Sequence, residues 1–322
     1  MSDSSPTPPL VLPHSPVAAH GAGPTAAPAH EYQQRLAIER PAAWRGILAL
    51  LLLLVTFGVQ MAVFGSIGIG IDLLTGRYSP ANGSPTMSPA LLGSGVAGLA
   101  TLIPISMGIQ RLMFGVPARS LHSVFSRFRW RLLGRAALVV VPVWTVYMVA
   151  FSSLIPQPTK PMPMIDVIAY AAIGLLIIPF QAAGEEYAFR GLALRVAASW
   201  GGGPRAGLVL GVLVSSLLFM VAHASTDVWL NLYYFTFGAC LALIAWRTGG
   251  LELPVLVHAV NNVLATLVGL ILQSDLDKGF DRSAGAGSVH MMIPAAMLVV
   301  TAAVVWWRTG PCPVTGPAEP TR

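Results

Sequence analysis

Long apolar runs separated by short polar stretches set the pattern of this chain. Eight runs fall at about 46–71, 89–110, 133–153, 167–199, 206–224, 228–246, 252–273 and 289–307. Each approaches the ~20 residues that an α-helix needs to cross the hydrocarbon core of a bilayer. The pattern predicts an all-α fold, a polytopic transmembrane helical bundle of about eight spans. Residues 1–40 are rich in Pro, Ala, Ser and His and hold no apolar run, which predicts a disordered cytoplasmic tail. They do not read as a signal peptide, because no charged segment leads directly into an apolar one. The last dozen residues carry four prolines and are also expected to be disordered. The chain then divides into the 1–40 tail, three spans with a basic loop at 41–164, four spans at 165–275, and a last span with its tail at 276–322.

Composition sharpens this. The 322 residues are 55% hydrophobic and 10% charged, with a mean hydropathy of +0.69, a balance no soluble domain carries. The net charge of +6 does not point to nucleic acid, because its arginines sit in loops. Arg111, Arg119, Arg127, Arg129, Arg131 and Arg135 lie between the second and third spans, and Arg35, Arg40 and Arg45 precede the first. Arg205, Arg247 and Arg308 follow the fourth, sixth and eighth. The other side holds Arg77, Lys160, Lys278 and Arg282. The positive-inside rule places both termini in the cytoplasm. Arginine outnumbers lysine 17 to 2, as in a GC-rich genome, so the expected location is a bacterial plasma membrane. The lipid bilayer is the first expected partner. Cys240 and Cys312 fall in different environments, so neither a disulfide nor a thiol metal site is expected.

Polar groups inside the runs carry the chemistry. Glu185, Glu186, Arg190, His223, His258 and Asn262 lie in or beside apolar segments. A charge at the bilayer centre costs from ~3 to over ~10 kcal/mol, so such groups usually line a pocket. Gly201-Gly202-Gly203-Pro204 forces a turn after the fourth span, making the fourth and fifth an antiparallel hairpin. Glu185 and His223 then lie at depths of roughly 24 and 28 Å from that turn, at ~1.5 Å per residue, and can meet across the hairpin. Gly207, Gly211, Ser215, Phe219 and His223 recur every fourth residue, and the small ones suit close helix packing. Glu186 and Arg190 are spaced i, i+4, which makes Glu186 the ion-pair partner. Glu185 is turned about 100° away on a 3.6-residue helix and is left as a free base. His258 and Asn262 share a face at i, i+4, while Asn261 is expected to point elsewhere. Gln60, Gln110 and Gln181 read as helix–helix hydrogen bonders, and Tyr233 and Tyr234 as packing residues.

Taken together, EExxxR (Glu185-Glu186…Arg190), FxxxH (Phe219…His223) and HxxxN (His258…Asn262) resemble the CAAX-protease and bacteriocin-processing (CPBP) family of intramembrane endopeptidases. The resemblance covers about residues 165–275. It implies an eight-helix bundle with a cavity open toward the cytoplasm, and peptide-bond hydrolysis in a membrane-associated protein or peptide substrate. Glu185 and His223 would activate water. His258 and Asn262 would stabilise the oxyanion. Glu186, Arg190 and Phe219 would support them.

The residues are compatible with a second chemistry. Glu185, His223 and His258 could hold zinc with water as fourth ligand. The metal-free glutamate mechanism, with no cofactor, is preferred because no HExxH helix is present and each His comes from a different span. Two readings from other classes stand beside the protease. One is a catalytically silent immunity or scaffold protein. The other is a transporter relaying protons through buried Glu and His, which an inverted repeat would favour.

Overall fold

The computed structural model describes residues 30–39, 41–83, 86–310 and 312. The predicted tails at 1–29 and 313–322 lie outside the described residues. Residues 30–39 correct part of the tail expectation. They form two short 3₁₀ turns, Tyr32–Arg35 and Ala37–Glu39. Tyr32 and Leu36 are fully buried. The Tyr32 hydroxyl donates to the Leu121 carbonyl at 2.7 Å, and the Arg195 guanidinium lies 4.0 Å from its ring centroid. Two large apolar side chains were enough to pin a segment too short to register as an apolar run.

The described residues are helical and contain no strand, only isolated bridges at Ser123–Gly250 and Thr159–Ser274. The main helices are α1 (Ala43–Leu74), α2 (Pro89–Ala100), α3 (Leu102–Phe114), α4 (Trp130–Leu154) and α5 (Met164–Leu176). They continue as α6 (Ile178–Ala198), α7 (Pro204–Ala222), α8 (Val228–Thr248), α9 (Glu252–Ile271) and α10 (Met292–Arg308). Among the described residues, seven stretches are long and apolar enough to cross a membrane, α2–α3 counting as one; the bent pair α5–α6 makes eight. The chain is a multi-pass membrane protein with an all-α bundle fold. Its outer helices show apolar side chains to the surroundings: Val55 is 63% exposed, Leu138 78% and Val146 71%. Those faces suit lipid.

The fourth predicted span is not continuous. It bends by 43° between α5 and α6. Pro179 explains the break: it lacks an N–H and its ring clashes with the carbonyl four residues back. The middle of α6, Glu186–Ala193, is π-helical and wholly buried. Such widened turns are rare and cluster at functional sites. Just before it, Gly184 touches a neighbouring backbone: a Cβ there would lie 2.1 Å from the Leu99 carbonyl oxygen at the α2–α3 junction.

The hairpin of α6 and α7 forms through Ser199–Gly203 as its glycines predict. A Cβ on Gly207 would lie 2.7 Å from the Ala198 carbonyl oxygen, and one on Gly211 2.8 Å from that of Leu194. On the other side of α7, Gly238 of α8 meets Ser216 in the same way, at 2.8 Å. Small residues thus bring α6, α7 and α8 within backbone contact. The start of α9 is held by Glu252, which is fully buried and takes Nε and Nη2 of Arg129 at 2.8 and 2.7 Å.

Candidate active site

The motif residues come together where α6, α7, α8 and α9 pack. The π-helical turn sets the first two. Glu186 Oε1 accepts from Arg190 Nη1 at 3.0 Å and from His258 Nδ1 at 2.7 Å. Glu186 and Arg190 are both fully buried. Arg190 also lies over the Phe219 ring, 4.0 Å from its centroid. Phe219 in turn stacks on Phe237 with centroids 5.5 Å apart, so an aromatic wall closes this side.

Glu185 is 5% exposed. Its Oε1 accepts from Gln181 Nε2 at 2.5 Å. Its Oε2 lies 3.8 Å from His258 Nε2 and has no hydrogen-bond partner. The expected division between the two carboxylates matches this geometry: Glu186 pairs with Arg190, and Glu185 keeps one oxygen without a hydrogen bond. Both carboxylates converge on His258, one at each ring nitrogen.

His223 sits just past the end of α7. Its Nδ1 lies 2.8 Å from the Phe219 carbonyl oxygen, and its ring stacks on Tyr234 with centroids 3.8 Å apart. The carbonyl can only accept, so Nδ1 carries a proton and Nε2 is an acceptor in the neutral ring. His223 lies within electrostatic range of Glu185 and Arg282. Among the described residues no direct hydrogen bond joins Glu185 to His223, so the hairpin places them beside one another without bonding them. The segment over this end is tied down by Thr226 N–H to the Arg282 carbonyl at 2.9 Å, and by Gly285 N–H to Asp227 Oδ2 at 3.0 Å.

Asn262, half-buried, donates from Nδ2 to Gln181 Oε1 at 3.2 Å. Asn261 does not point elsewhere as expected: its Nδ2 donates to Asn262 Oδ1 at 2.9 Å. Gln181 bonds from α6 to α9 as a helix–helix hydrogen bonder should, and in doing so touches the motif residues; Tyr234, expected only to pack, stacks on His223. For Gln181 a signal existed, since it lies one helical turn before Glu185. For Tyr234 none did. From the loop outside the spans, His122 reaches the motif by a hydrogen bond to the Tyr187 hydroxyl; burial holds its imidazole below the usual histidine range.

A zinc ion would need Glu185, His223 and His258 around one point. Among the described residues no group of three or more His, Cys, Asp or Glu side chains is arranged to hold a metal. As folded, these three do not fit the ion.

Residues 166–264 match the family model described as Rce1-like, type II CAAX prenyl endopeptidase. Every motif residue from Glu185 to Asn262 lies inside that stretch. The match supports assigning this segment to the CAAX-protease and bacteriocin-processing family. The CPBP segment is also similar to YyaK, an uncharacterized protein of Bacillus subtilis (strain 168). The two are 30% identical over 97 residues, 29% of this chain and 31% of that protein. The chain thus spans about a third of the length of the curated relative it matches. No solved structure matches it.

Proposed function

We propose that the protein is an intramembrane endopeptidase that hydrolyses a peptide bond of a membrane-associated protein or peptide, with water activated by Glu185 and His223. The observation that carries this reading is the buried, unpartnered Oε2 of Glu185, beside His258 Nε2. An orphaned buried carboxylate oxygen calls for a donor, and a water molecule supplies one. Water held between Glu185 Oε2 and His223 Nε2 gives one proton to Glu185 as it attacks the carbonyl carbon, and Glu185 passes that proton to the leaving amine. His223 Nε2, with its Nδ1 committed to the Phe219 carbonyl, accepts the water's other hydrogen bond.

The negative oxygen then formed needs donors. Asn262 Nδ2 has two hydrogens and gives one to Gln181, so the other is free for the oxyanion. His258 donates from Nε2 when its ring is protonated, and Glu186 at Nδ1 stabilises that imidazolium. No metal or other cofactor enters. The deciding experiment is cleavage of reconstituted membrane peptides by the native chain and by Glu185→Ala. Peptide binding without cleavage by the native chain would favour a silent scaffold or immunity protein.

The oxyanion role makes a further prediction. Loss of one such donor costs ~10²–10³-fold in turnover, so Asn262→Ala should lose about that much. Purified active protein should hold less than one zinc per chain and keep its activity after metal-stripping dialysis. Stoichiometric zinc, with activity lost on stripping and restored by zinc, would replace this mechanism with the metalloprotease one.

Both termini and the Arg111–Arg135 loop are proposed to be cytoplasmic, from the charge asymmetry. Single cysteines placed in the 119–131 loop of a cysteine-free variant should react with an impermeant thiol reagent only after cells are opened. Labelling from outside intact cells would invert the topology.

A further inference from the structure

Gln181 stands outside the EExxxR, FxxxH and HxxxN motifs, yet it is 6% exposed and touches two of the residues they supply. It lies on α6 one turn before Glu185, so both side chains leave the same helix face. Across the site it meets α9. Its two hydrogen bonds have a definite sense. An ionised carboxylate only accepts, so the 2.5 Å contact to Glu185 Oε1 requires the Gln181 amide nitrogen on that side. The Gln181 carbonyl must then face Asn262, and only Nδ2 of Asn262 can answer it, at 3.2 Å. Asn261 closes the chain by donating to Asn262 Oδ1 at 2.9 Å. Reversing any one amide would set donor against donor or acceptor against acceptor along the chain.

We propose that Gln181 is a positioning residue that orients Glu185 and Asn262 together, so that the base and the oxyanion donor are set by one amide. Without it, Asn262 is held by Asn261 alone and can more readily turn its carbonyl oxygen toward the reacting centre, where it would repel the oxyanion. Glu185 would lose the contact that leaves Oε2 as its free oxygen. The catalytic part of this proposal rests on the hydrolytic reading above. The hydrogen-bond coupling does not, and the test separates the two.

Two measurements are made on the full chain in detergent or liposomes. The first is a cycle of native, Gln181→Met, Asn262→Ala and the double variant on a reconstituted peptide. Gln181→Met should lower kcat by ~10–10²-fold, with KM changed less than about threefold. The double variant should lose clearly less than the sum of the two single losses, because with Asn262 gone only the Glu185 half of the Gln181 effect remains. A merely structural Gln181 would give additive losses, and additivity overturns the proposal. The second needs no activity: the Asn262 side-chain amide signal is followed by NMR in ¹⁵N-Asn-labelled protein. Glu185→Ala should shift that signal in the native background and leave it unmoved in Gln181→Met. If the signal ignores Glu185 in the native background, the proposal falls whatever the activity. If it responds but the native chain cleaves nothing, the coupling stands and the hydrolytic reading fails.

Discussion

Glu185→Gln is expected to abolish peptide cleavage while the protein still folds and inserts. The substitution is nearly isosteric. The amide oxygen can keep the contact from Gln181 Nε2, which is 2.5 Å in the native site. What disappears is the anionic Oε2, which has no hydrogen bond and lies 3.8 Å from His258 Nε2. Loss of a general base costs ~10²–10⁴-fold. Turnover on a reconstituted peptide should fall at least that far. The thermal midpoint in detergent should move little, since no cavity and no unpaired charge is created. Near-native turnover in this variant would remove Glu185 from the mechanism.

Arg190→Ala should act on the fold more than on specificity. Arg190 and Glu186 are fully buried 3.0 Å apart, and the guanidinium also covers the Phe219 ring. Removing one partner of a buried pair typically costs about 3–5 kcal/mol, because the other charge is left uncompensated. Glu186 would keep only His258. The native pair is itself imperfect, as Arg190 Nε and Nη2 have no hydrogen-bond partner. Replacing both charges should therefore be milder than removing one. Glu186→Gln with Arg190→Met should recover part of the folded yield and thermal midpoint lost in Arg190→Ala. An Arg190→Ala protein as thermostable as the native chain would show that the pair does not support the fold.

These two residues mark how far the sequence could be read. Spans are legible because crossing a bilayer imposes a length and a composition that few other constraints mimic. The Glu186–Arg190 pair is legible because helix neighbours at i, i+4 touch, and that contact survives the wider turn. The meeting of both carboxylates at His258 was not legible, because it joins α6 to α9 and no spacing along one helix reveals it. The bend at Ile177 had left traces: a predicted 167–199 segment much longer than a span requires, and Pro179 inside it. The stacking of Tyr234 on His223 joins residues on separate helices at no fixed spacing, and periodicity is blind to that. The ordered turns at 30–39 failed for a different reason. Composition marks a segment as unable to fold alone, and Tyr32 and Leu36 do not fold alone; they fill sites in an existing bundle.

Gly184 bears on how mutational data for this chain would be interpreted. Its α-carbon rests against the Leu99 carbonyl with no room for a methyl group, one position before Glu185. Any side chain there pushes Glu185 off its mark without touching a reacting atom. A saturation scan scored by activity alone would rank position 184 with the motif residues, and a reader equating intolerance with chemistry would enlarge the catalytic centre by a residue that has no functional group. Scoring folded abundance alongside activity does not rescue that inference, since the displacement needs only to be small. Here a strict demand for glycine records the clearance between two backbones.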